Sequence, residues 1–513
     1  MVASSDRRIR RSALAIATVA CAVCALLPAA GHPVAGTTLA FDNVVLKKAG
    51  GEPTVSVSPS GRVILVAGLG PDAPAIFYRS TDFGRTFRKI TPSFPRAGGG
   101  DWDATFIDDR TIVAVDLSLG DGVYVHRSED GGDNWTTTTI NLDVYDRPWI
   151  AHAGPDNVYV VAKGFDMIPY LFRSTDGGRS FGTPPIPLIV YGLPGQGGPN
   201  IAEAITGGLN AYVDHLTVDP KSGDVYVLYG VGTLGTLNTS QPLGIANRLY
   251  VAHLEGDRMV SYPVFLGANE DSSISGFNWL TVDPNGTVYA LANGRVGGHH
   301  SARVSYSKDH GRTWSPLVDL APKGAANVYG SIAAGSPGVL SLVYLRGTTE
   351  DPNEPQQWFA EMARVTSADT PTPRVGRVRS TKKPIHTRDI CFDGILCGLP
   401  GFGSDRNLLD FIWNEVTADG RAFAAISSDG PESGGEADTT PDVIILRQKA
   451  GPSHRVTPTE LQTPAKKPAV RGTKTVRPRA TLPATGVAGT PTAPTAALVA
   501  IALCVAAALR RVR

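Results

Sequence analysis

Seven stretches of the chain share one pattern of apolar and polar positions. In each stretch, two runs of alternating apolar residues flank a short turn that carries glycine or aspartate. This pattern predicts a β-hairpin with a buried face. Repetition along one long chain predicts a β-propeller with seven blades of about four strands each. The copies occupy residues 53–68, 102–117, 148–163, 213–231, 278–293, 328–346 and 411–429.

A second hairpin follows four of these copies, and its turn carries a fixed motif. Residues 80–87, 128–135, 174–181 and 307–314 all read Ser-x-Asp-x-Gly-x-x-aromatic. The motif resembles the Asp-box, or BNR repeat, of sialidase-like propellers. Its aspartate can accept N–H groups of its own turn, and its glycine can adopt a positive φ. We therefore predict that four aspartates staple hairpin turns and indicate the fold rather than the activity: Asp82, Asp130, Asp176 and Asp309.

The remaining segments of the repeat region predict how the ring closes and where its loops lie. Residues 41–46 are predicted to form the outermost strand of the last blade, beside residues 442–447. Longer connections are expected on the face where each inner strand begins, opposite the motif turns. Loops on a rigid scaffold commonly carry binding sites. The connections predicted on that face are residues 191–211, 232–247, 294–302 and 380–408.

The two ends of the chain predict export and attachment to a cell wall. Residues 1–36 have four arginines before an apolar run, which is typical of a signal peptide. At the other end, the LPATG sequence of residues 482–486 precedes an apolar run and a basic tail. This arrangement resembles the LPXTG sorting signal of Gram-positive bacteria. The resemblance implies that a sortase recognises Leu482 and Pro483, cuts between Thr485 and Gly486, and joins Thr485 to peptidoglycan.

A plain C-terminal membrane anchor is the alternative interpretation of residues 482–513. Against it, the apolar run is shorter than the ~20 residues that a helix needs to span a bilayer. Membrane contact is then expected only through this segment, before sorting. The preceding residues 451–481 are rich in proline, threonine and lysine and predict an extended, disordered linker. A soluble stalk and a basic contact with anionic wall polymers both remain open for it.

The charge balance describes the predicted propeller, residues 37–450, separately from the ends. Of 48 basic and 47 acidic residues, four arginines and one aspartate lie in 1–36, and ten basic residues and one glutamate in 451–513. The remaining 34 basic and 45 acidic residues give a net charge of −11. We therefore expect no nucleic-acid partner, since such proteins present basic surfaces.

Cysteine use agrees with export. Only Cys391 and Cys397 lie outside the two terminal segments, and they predict one disulfide. A metal site is the weaker alternative, because the nearest histidine, His386, lacks ligand-like companions. The adjacent pair His299 and His300, in a predicted glycine-rich loop, is a second metal alternative.

The residues at the starts of the predicted inner strands are mostly acidic. One interpretation is that these carboxylates join neighbouring blades by accepting backbone N–H bonds. The other is a mouth that binds a cation such as calcium, an amine or sugar hydroxyls. Four of them are candidates for the acid, base or nucleophile of glycoside hydrolysis: Asp101, Asp103, Asp146 and Asp214. Candidate ligand-binding residues are Glu52, Arg147, His215, Trp279 and Asp410.

The sialidase family itself has six blades, an arginine triad that grips a carboxylate and an Arg-Ile-Pro motif. This chain has seven repeats and no Arg-Ile-Pro, and only Arg147, with Arg406 as a loop companion, is basic near the inner strands. No sialidase catalytic residue is therefore carried over. We expect an extracellular propeller that binds a glycan or a protein at its loop-rich face. An exo-acting glycoside hydrolase of sialidase-like fold is the alternative.

Overall fold

The computed structural model describes residues 38–455 except 71–74, 119–121, 142–143, 165–167, 183, 189–208, 234–244, 247, 267–271, 276, 297–298, 392–396, 398–404 and 435–439. The described residues form 30 β-strands and contain no helix. None of them therefore belongs to a helix capable of crossing a bilayer. The predicted signal peptide, the sorting signal and most of the linker lie outside the described residues.

The strands form seven antiparallel sheets, as predicted, and each sheet is one blade of a propeller. Blade one contains β2 (Gly51–Val57), β3 (Ile64–Leu69), β4 (Ile76–Ser80) and β5 (Arg88–Ile90). Blade two contains β6 (Trp102–Phe106), β7 (Ile112–Ser118), β8 (Gly122–Ser128) and β9 (Thr136–Ile140). Blade three contains β10 (Val144–Ala153), β11 (Asn157–Gly164), β12 (Pro169–Ser174) and β13 (Ile186–Pro187). Blade four contains β14 (Leu209–Val218), β15 (Val225–Thr233), β17 (Arg248–Glu255) and β18 (Arg258–Leu266).

The other three blades follow the same order from the inner to the outer strand. Blade five contains β20 (Trp279–Val282), β21 (Val288–Val296), β22 (His299–Ser307) and β23 (Val318–Asp319). Blade six contains β24 (Asn327–Ala334), β25 (Val339–Arg346), β26 (Phe359–Thr366) and β27 (Arg374–Arg379). Blade seven contains β28 (Trp413–Val416), β29 (Ala422–Ser428), β30 (Asp442–Ala450) and β1 (Ala40–Leu46).

The ring closes as the sequence predicts. Strand β1, from the N-terminal side, pairs with β30 from the C-terminal side, and Val44 lies opposite Ile445. Both ends of the described chain thereby belong to one sheet. Buried aliphatic residues of adjacent sheets belong to one hydrophobic cluster, among them Val227 of blade four and Leu291 of blade five. Burying such side chains favours folding by about 1.5–3 kcal/mol each.

Three of the connections predicted as loops, residues 191–211, 232–247 and 294–302, contain strand residues. Strands β16 (Ile245–Ala246) and β19 (Ser272–Ser275) pair with each other, and β19 extends blade five beside β21. Residues 294–302, predicted as a glycine-rich loop, belong largely to the hairpin of β21 and β22. The sequence interpretation was wrong there because glycine and histidine have weak strand preferences, whereas the neighbouring strand supplies the pairing.

The packed part of the chain also reaches slightly past the predicted linker boundary. Residues 451–455 lie against blades six and seven, where His454 is fully buried. Its backbone N–H donates to the carbonyl of Gly420 at 2.8 Å, and its carbonyl accepts the N–H of Ser336 at 2.8 Å. These bonds anchor the last described residues to the ring.

Candidate functional site

The inner strands begin at one mouth of the central channel, and charged side chains gather there. We call this set the mouth cluster, defined by Glu52, Asp101, Asp146, Arg147, Asp214, Arg406 and Asp410. Arg147 belongs to blade three, and Asp410 precedes the first strand of blade seven. The Nη2 atom of Arg147 nevertheless lies 3.8 Å from Oδ2 of Asp410. Because blades three and seven are not neighbours in the ring, this contact crosses the central axis.

The backbone at the mouth adopts conformations that L-residues rarely take. Glu52, Arg147 and Leu409 have φ values of 47°, 48° and 58°. The strand register shifts beside Glu52 and Arg147, as at a β-bulge. Bulges redirect side chains, and each such conformation costs about 1–3 kcal/mol. The backbone that carries the mouth cluster is therefore strained, and the packing of the surrounding blades maintains this conformation.

Several mouth carboxylates join neighbouring blades. Oδ2 of Asp101 accepts the backbone N–H of Arg147 at 3.1 Å, and Oε1 of Glu52 accepts that of Asp410 at 3.1 Å. Asp214 accepts the backbone N–H of Phe277 at 2.8 Å. It also accepts a bond from the Asn278 side chain at 2.9 Å. These bonds are the blade ties that the sequence analysis described as one of its two interpretations.

Two guanidinium groups offset the acids, so the mouth is not uniformly acidic. Arg406 donates to both carboxylate oxygens of Asp410, from Nη2 at 2.5 Å and from Nε at 3.3 Å. Arg147 lies over the ring of Phe277, with 3.9 Å between Cζ and the ring centroid. Its Nη1 atom is enclosed and has no hydrogen-bond partner. The cluster thus contains both hydrogen-bond acceptors and fixed donors.

Burial changes the proton affinity of these groups. It raises the pKa of Asp101 to about 7, with help from the charge of Asp146. It also raises the pKa of Asp214 to about 6, against hydrogen bonds from Asn278. The pKa of Glu52 is raised by burial and then by the charges of Asp410 and Asp101. Carboxyl groups at the mouth therefore stay partly protonated near neutral pH, whereas ordinary surface carboxylates are ionised there.

Lys163 is a mouth neighbour that the sequence analysis missed. It lies opposite Asp146 in the register of β10 and β11 and is buried. Burial lowers the pKa of Lys163 to about 8. Its position follows from pairing across the hairpin, and the run of apolar residues around it gives no hint of a buried amine.

Asp103 lies outside the mouth cluster, although it was a candidate for catalysis. Its carboxylate accepts its neighbour's backbone N–H, that of Ala104, at 2.7 Å and that of Ile150 in blade three at 2.9 Å. Only 3% of the residue is exposed. The geometry makes it a buried tie between blades two and three.

Trp279 and His215, predicted to bind ligand, belong to an aromatic layer beneath the mouth. Trp279 is 3% exposed, and its ring centroid lies 4.9 Å from that of Trp413 and 4.5 Å from that of His215. Trp149 of blade three lies 5.3 Å from Phe411, which precedes blade seven. Contacts between these distant blades mean that the rings cross the channel. Burial lowers the pKa of His215 to about 3, so its imidazole is neutral.

A small recess opens between blades one and two at the mouth. Glu52 and Asp101 are its acidic residues. The other lining residues are small or apolar: Ala67, Gly68, Leu69, Ala75, Gly100, Trp102 and Phe411. The volume of the recess is about 10 Å³, which is room for one water molecule near the two carboxyl groups.

The motif turns on the opposite face share one hydrogen-bond pattern. In the second turn, Oδ1 of Asp130 accepts the backbone N–H groups of Asp133 and Asn134, both at 3.0 Å, and the hydroxyl of Ser128 at 2.8 Å. Asn134 and the other donors lower the pKa of Asp130 to about 2. Asp82 and Asp176 accept equivalent bonds. Partial burial opposes the decrease there, and the pKa still falls to about 2.

The predicted disulfide between Cys391 and Cys397 is confirmed. The interpretation that His386 lacks companions is wrong, because folding brings Asp405 and Asp429 to it. Among the described residues, these three form the one group whose ligand atoms lie within 4.8 Å of one another. The sequence could not show this, since Asp429 lies 43 positions away.

Protein groups already satisfy this histidine. Nδ1 of His386 lies 2.6 Å from Oδ1 of Asp429, and Nε2 lies 3.0 Å from the carbonyl of Asp389. Arg388 pairs with both Asp405 and Asp429. A metal ion would have to displace these bonds. These ion pairs, which we call the knot at His386, connect His386, Arg388 and Asp405 to Asp429 at the end of β29 in blade seven.

His299 and His300 do not form a metal-binding pair. They are consecutive residues of β22, and successive side chains of a strand point to opposite faces of the sheet.

Part of the acidic segment 432–442 lies outside the described residues. At its ends, Glu432 accepts a bond from Asn43 at 2.9 Å and Asp442 accepts one from Lys47 at 2.9 Å.

Comparisons with known proteins concern the fold alone. No family model matches the chain. No curated protein matches it either. Similar solved structures include a protein of unknown function from Dyadobacter fermentans, with 16% identity over 81% of this chain and 100% of that one, at a TM-score of 0.40.

Two enzymes are also among the similar structures. A GH74 xyloglucanase from Xanthomonas campestris has 14% identity over 78% of this chain, at a TM-score of 0.43. The match spans only 55% of the xyloglucanase. The endosialidase of phage phi92 has 11% identity over 84% of this chain and 72% of its own, at a TM-score of 0.42. The seven sheets themselves, and not these likenesses, establish the fold.

Proposed function

We propose that the chain is an exported propeller that binds an extracellular glycan through the mouth cluster. The observation that carries this proposal is that Arg147 and Arg406 lie among the five carboxyl groups of the mouth cluster. Sugar hydroxyls both donate and accept hydrogen bonds, so they complement such a mixed set.

A glycan array tests this proposal, with the purified chain in calcium and in a chelator. We expect a defined glycan hit that weakens at least tenfold in Arg147→Met, because that guanidinium stands at the centre of the cluster. Arg85→Met, on the motif-turn face, is the matched control and should bind like the wild type. Binding that requires calcium would add a metal ion to the mouth. A blank array would contradict the glycan proposal and favour a protein partner.

Surface display is the second part of the proposal, and it rests on the two chain ends. The signal peptide, the LPATG sequence and the basic tail together support attachment to peptidoglycan by a sortase. Thr485→Ala should release the protein from the wall into the membrane or the medium. Thr481→Ala, four residues earlier, is the control and should remain attached. If Thr485→Ala stays bound to the wall as the wild type does, sorting at this motif is wrong.

Glycoside hydrolysis is the alternative function, and the raised pKa of Asp101 favours keeping it. A carboxyl group with a pKa of about 7 is a suitable general acid near neutral pH. Asp146 or Asp214 would then serve as the base or nucleophile. A screen on aryl glycosides and sialosides should show activity that Asp101→Asn or Asp214→Asn abolishes, whereas Asp130→Asn retains it. Equal activity in all three variants would contradict the assignment.

A further inference from the structure

We propose that the seam between blades four and five contains a second binding site, specific for a small carboxylate and separate from the mouth. Its residues are His299, Ser301 and Arg303, which alternate along β22 and so point to the same face of blade five. Cζ of Arg303 lies 5.5 Å from the ring centroid of Phe265, on the outer strand of blade four. This contact shows that the shared face is turned toward blade four.

The guanidinium of Arg303 is buried, and two of its nitrogen atoms lack a hydrogen bond. The residue is 4% exposed, and its Nε and Nη2 atoms are enclosed and make no hydrogen bond. Burial lowers the pKa of Arg303 to about 10, and the group remains charged. An enclosed cation normally has an ion pair and hydrogen bonds, because its desolvation costs several kcal/mol. Among the described residues, the Phe265 ring and the charge of Asp319 act on this cation, but no group accepts a hydrogen bond from its Nε or Nη2 atom.

The other buried polar groups of the seam also lack hydrogen bonds. Ser301 is fully buried, and its Oγ atom has no partner. Nε2 of His299 is enclosed without a hydrogen bond and lies 3.8 Å from Oδ2 of Asp319. Asp319 is opposite Arg303 in the register of β23, yet no ion pair between them occurs among the described residues. His299, Ser301 and Arg303, which are alternate residues on one face of β22, thus each have a polar atom without a hydrogen bond.

The residues of β21 that lie opposite this face are small. Gly294 lies opposite Ser301, and Ala292 lies opposite Arg303, in the pairing of β21 with β22. The seam also reaches solvent at its rim, where the Asp319 side chain is 39% exposed. A compact ligand could therefore enter beside β22 and stand over the small residues of β21.

The unpartnered atoms define the class of ligand. Nε and Nη2 form one edge of the guanidinium, with two parallel N–H groups at the spacing of the two oxygens of a carboxylate. The hydroxyl of Ser301 supplies a further donor. A small carboxylate, such as a free organic acid or the acid group of a sugar, satisfies the edge with two bonds. Phosphate offers similar oxygens, so the experiment must distinguish the two anions.

The test is a titration of the full-length chain with acetate, glucuronate and inorganic phosphate, observed at the Nε–H signal of Arg303 by NMR. Arg303→Met identifies the signal. We expect a saturable shift with acetate or glucuronate at lower concentration than with phosphate, and carboxylate affinity at least tenfold weaker in Arg303→Met. Arg295→Met, an exposed arginine on β21, is the control and should bind as the wild type does. Absence of a shift with either carboxylate, or tighter binding of phosphate, would overturn the proposal.

Thermal unfolding provides an independent measurement. Without ligand, Arg303→Met should raise the melting temperature, because it removes a buried charge that lacks a partner while it keeps an unbranched side chain. Added glucuronate should stabilise the wild type and leave the variant unchanged. A lower melting temperature of the ligand-free variant would show that Arg303 already has stabilising partners and would contradict the premise.

Discussion

Aspartates on the two faces of the propeller behave in opposite ways. On the motif-turn face, hydrogen bonds from its own turn, those of Asn134 first, lower the pKa of Asp130 to about 2. On the mouth face, burial and the charge of Asp146 raise the pKa of Asp101 to about 7. Asp130 stays ionised near neutral pH, whereas a large fraction of Asp101 is protonated. The environment, and not the residue type, therefore decides which face has acid–base chemistry available.

The comparison separates two ways of using a carboxylate in one fold. An aspartate of a motif turn accepts hydrogen bonds from donors within four residues in the sequence. Water also reaches it, so its ionised form is well solvated. An aspartate of the mouth accepts hydrogen bonds from distant parts of the sequence. Asp214, for example, is buried and accepts bonds from residues 63 and 64 positions away. The first stabilises one hairpin, and the second fixes how two blades meet at a charged centre.

The largest expected effect is a difference in stability between the faces. Asp214→Ala leaves the buried donors of Phe277 and Asn278 without acceptors, so it should lower the apparent free energy of unfolding by about 3–5 kcal/mol. Asp130→Ala exposes its turn donors to water and should cost about 1 kcal/mol. Urea unfolding of both variants checks this. Equal losses would remove the distinction between local and long-range carboxylates.

Removal of the disulfide should have a smaller effect, confined to the mouth face. The bond closes a loop with a sequence separation of six residues. For so short a loop, chain entropy predicts a loss of about 2 kcal/mol in Cys391→Ser/Cys397→Ser. The double variant should unfold earlier in urea and lose its sensitivity to reductant, while the reduced wild type should match it. No change in stability would mean that the knot at His386 holds this loop alone.

The pH dependence of stability should also differ between the carboxyl groups of the mouth face and those of the motif-turn face. A raised folded-state pKa means that the folded chain binds more protons than the unfolded chain between pH ~4 and pH ~7, so stability falls as pH rises through that window. One extra proton corresponds to at most about 1.4 kcal/mol per pH unit. Asp101→Asn should flatten this slope in thermal unfolding measured from pH 4 to 8.

Asp130→Asn is the matched control for the pH experiment. Its lowered pKa stabilises the fold above pH ~4, and this contribution is lost as pH falls toward 2. The variant should therefore change only the acid side of the profile. If Asp101→Asn left the neutral slope intact, the mouth carboxyl groups would not be the source of that slope.

The sequence was sufficient for the fold because the information is local and repeated. Alternating apolar residues around turns predicted seven hairpins, and residues 41–46 predicted the closing strand beside 442–447. The ribbon of β16 and β19 was missed, since its pairing partner lies outside the repeat. The interpretation of residues 294–302 was wrong for a different reason, namely the weak strand preferences of glycine and histidine within a local hairpin.

The candidate site was predicted only as a list of strand starts. Asp101, Arg147 and Asp410 were found because each stands at a repeated position. The sequence could not show that Asp103 turns into a blade interface or that Trp279 closes the channel with Trp413, because strand twist and bulges set those directions. The knot at His386 depends on folding of a long connection, which no local pattern encodes.

Carboxyl NMR titration tests the central claim most directly, namely that the two faces hold their aspartates in opposite protonation states. Asn variants assign the side-chain carbon signals of Asp101 and Asp214 at the mouth and of Asp82 and Asp130 in the turns. We predict titration near pH 7 and 6 for the first pair and near pH 2 for the second. Titration of all four near pH 4, as in a model peptide, would contradict the account.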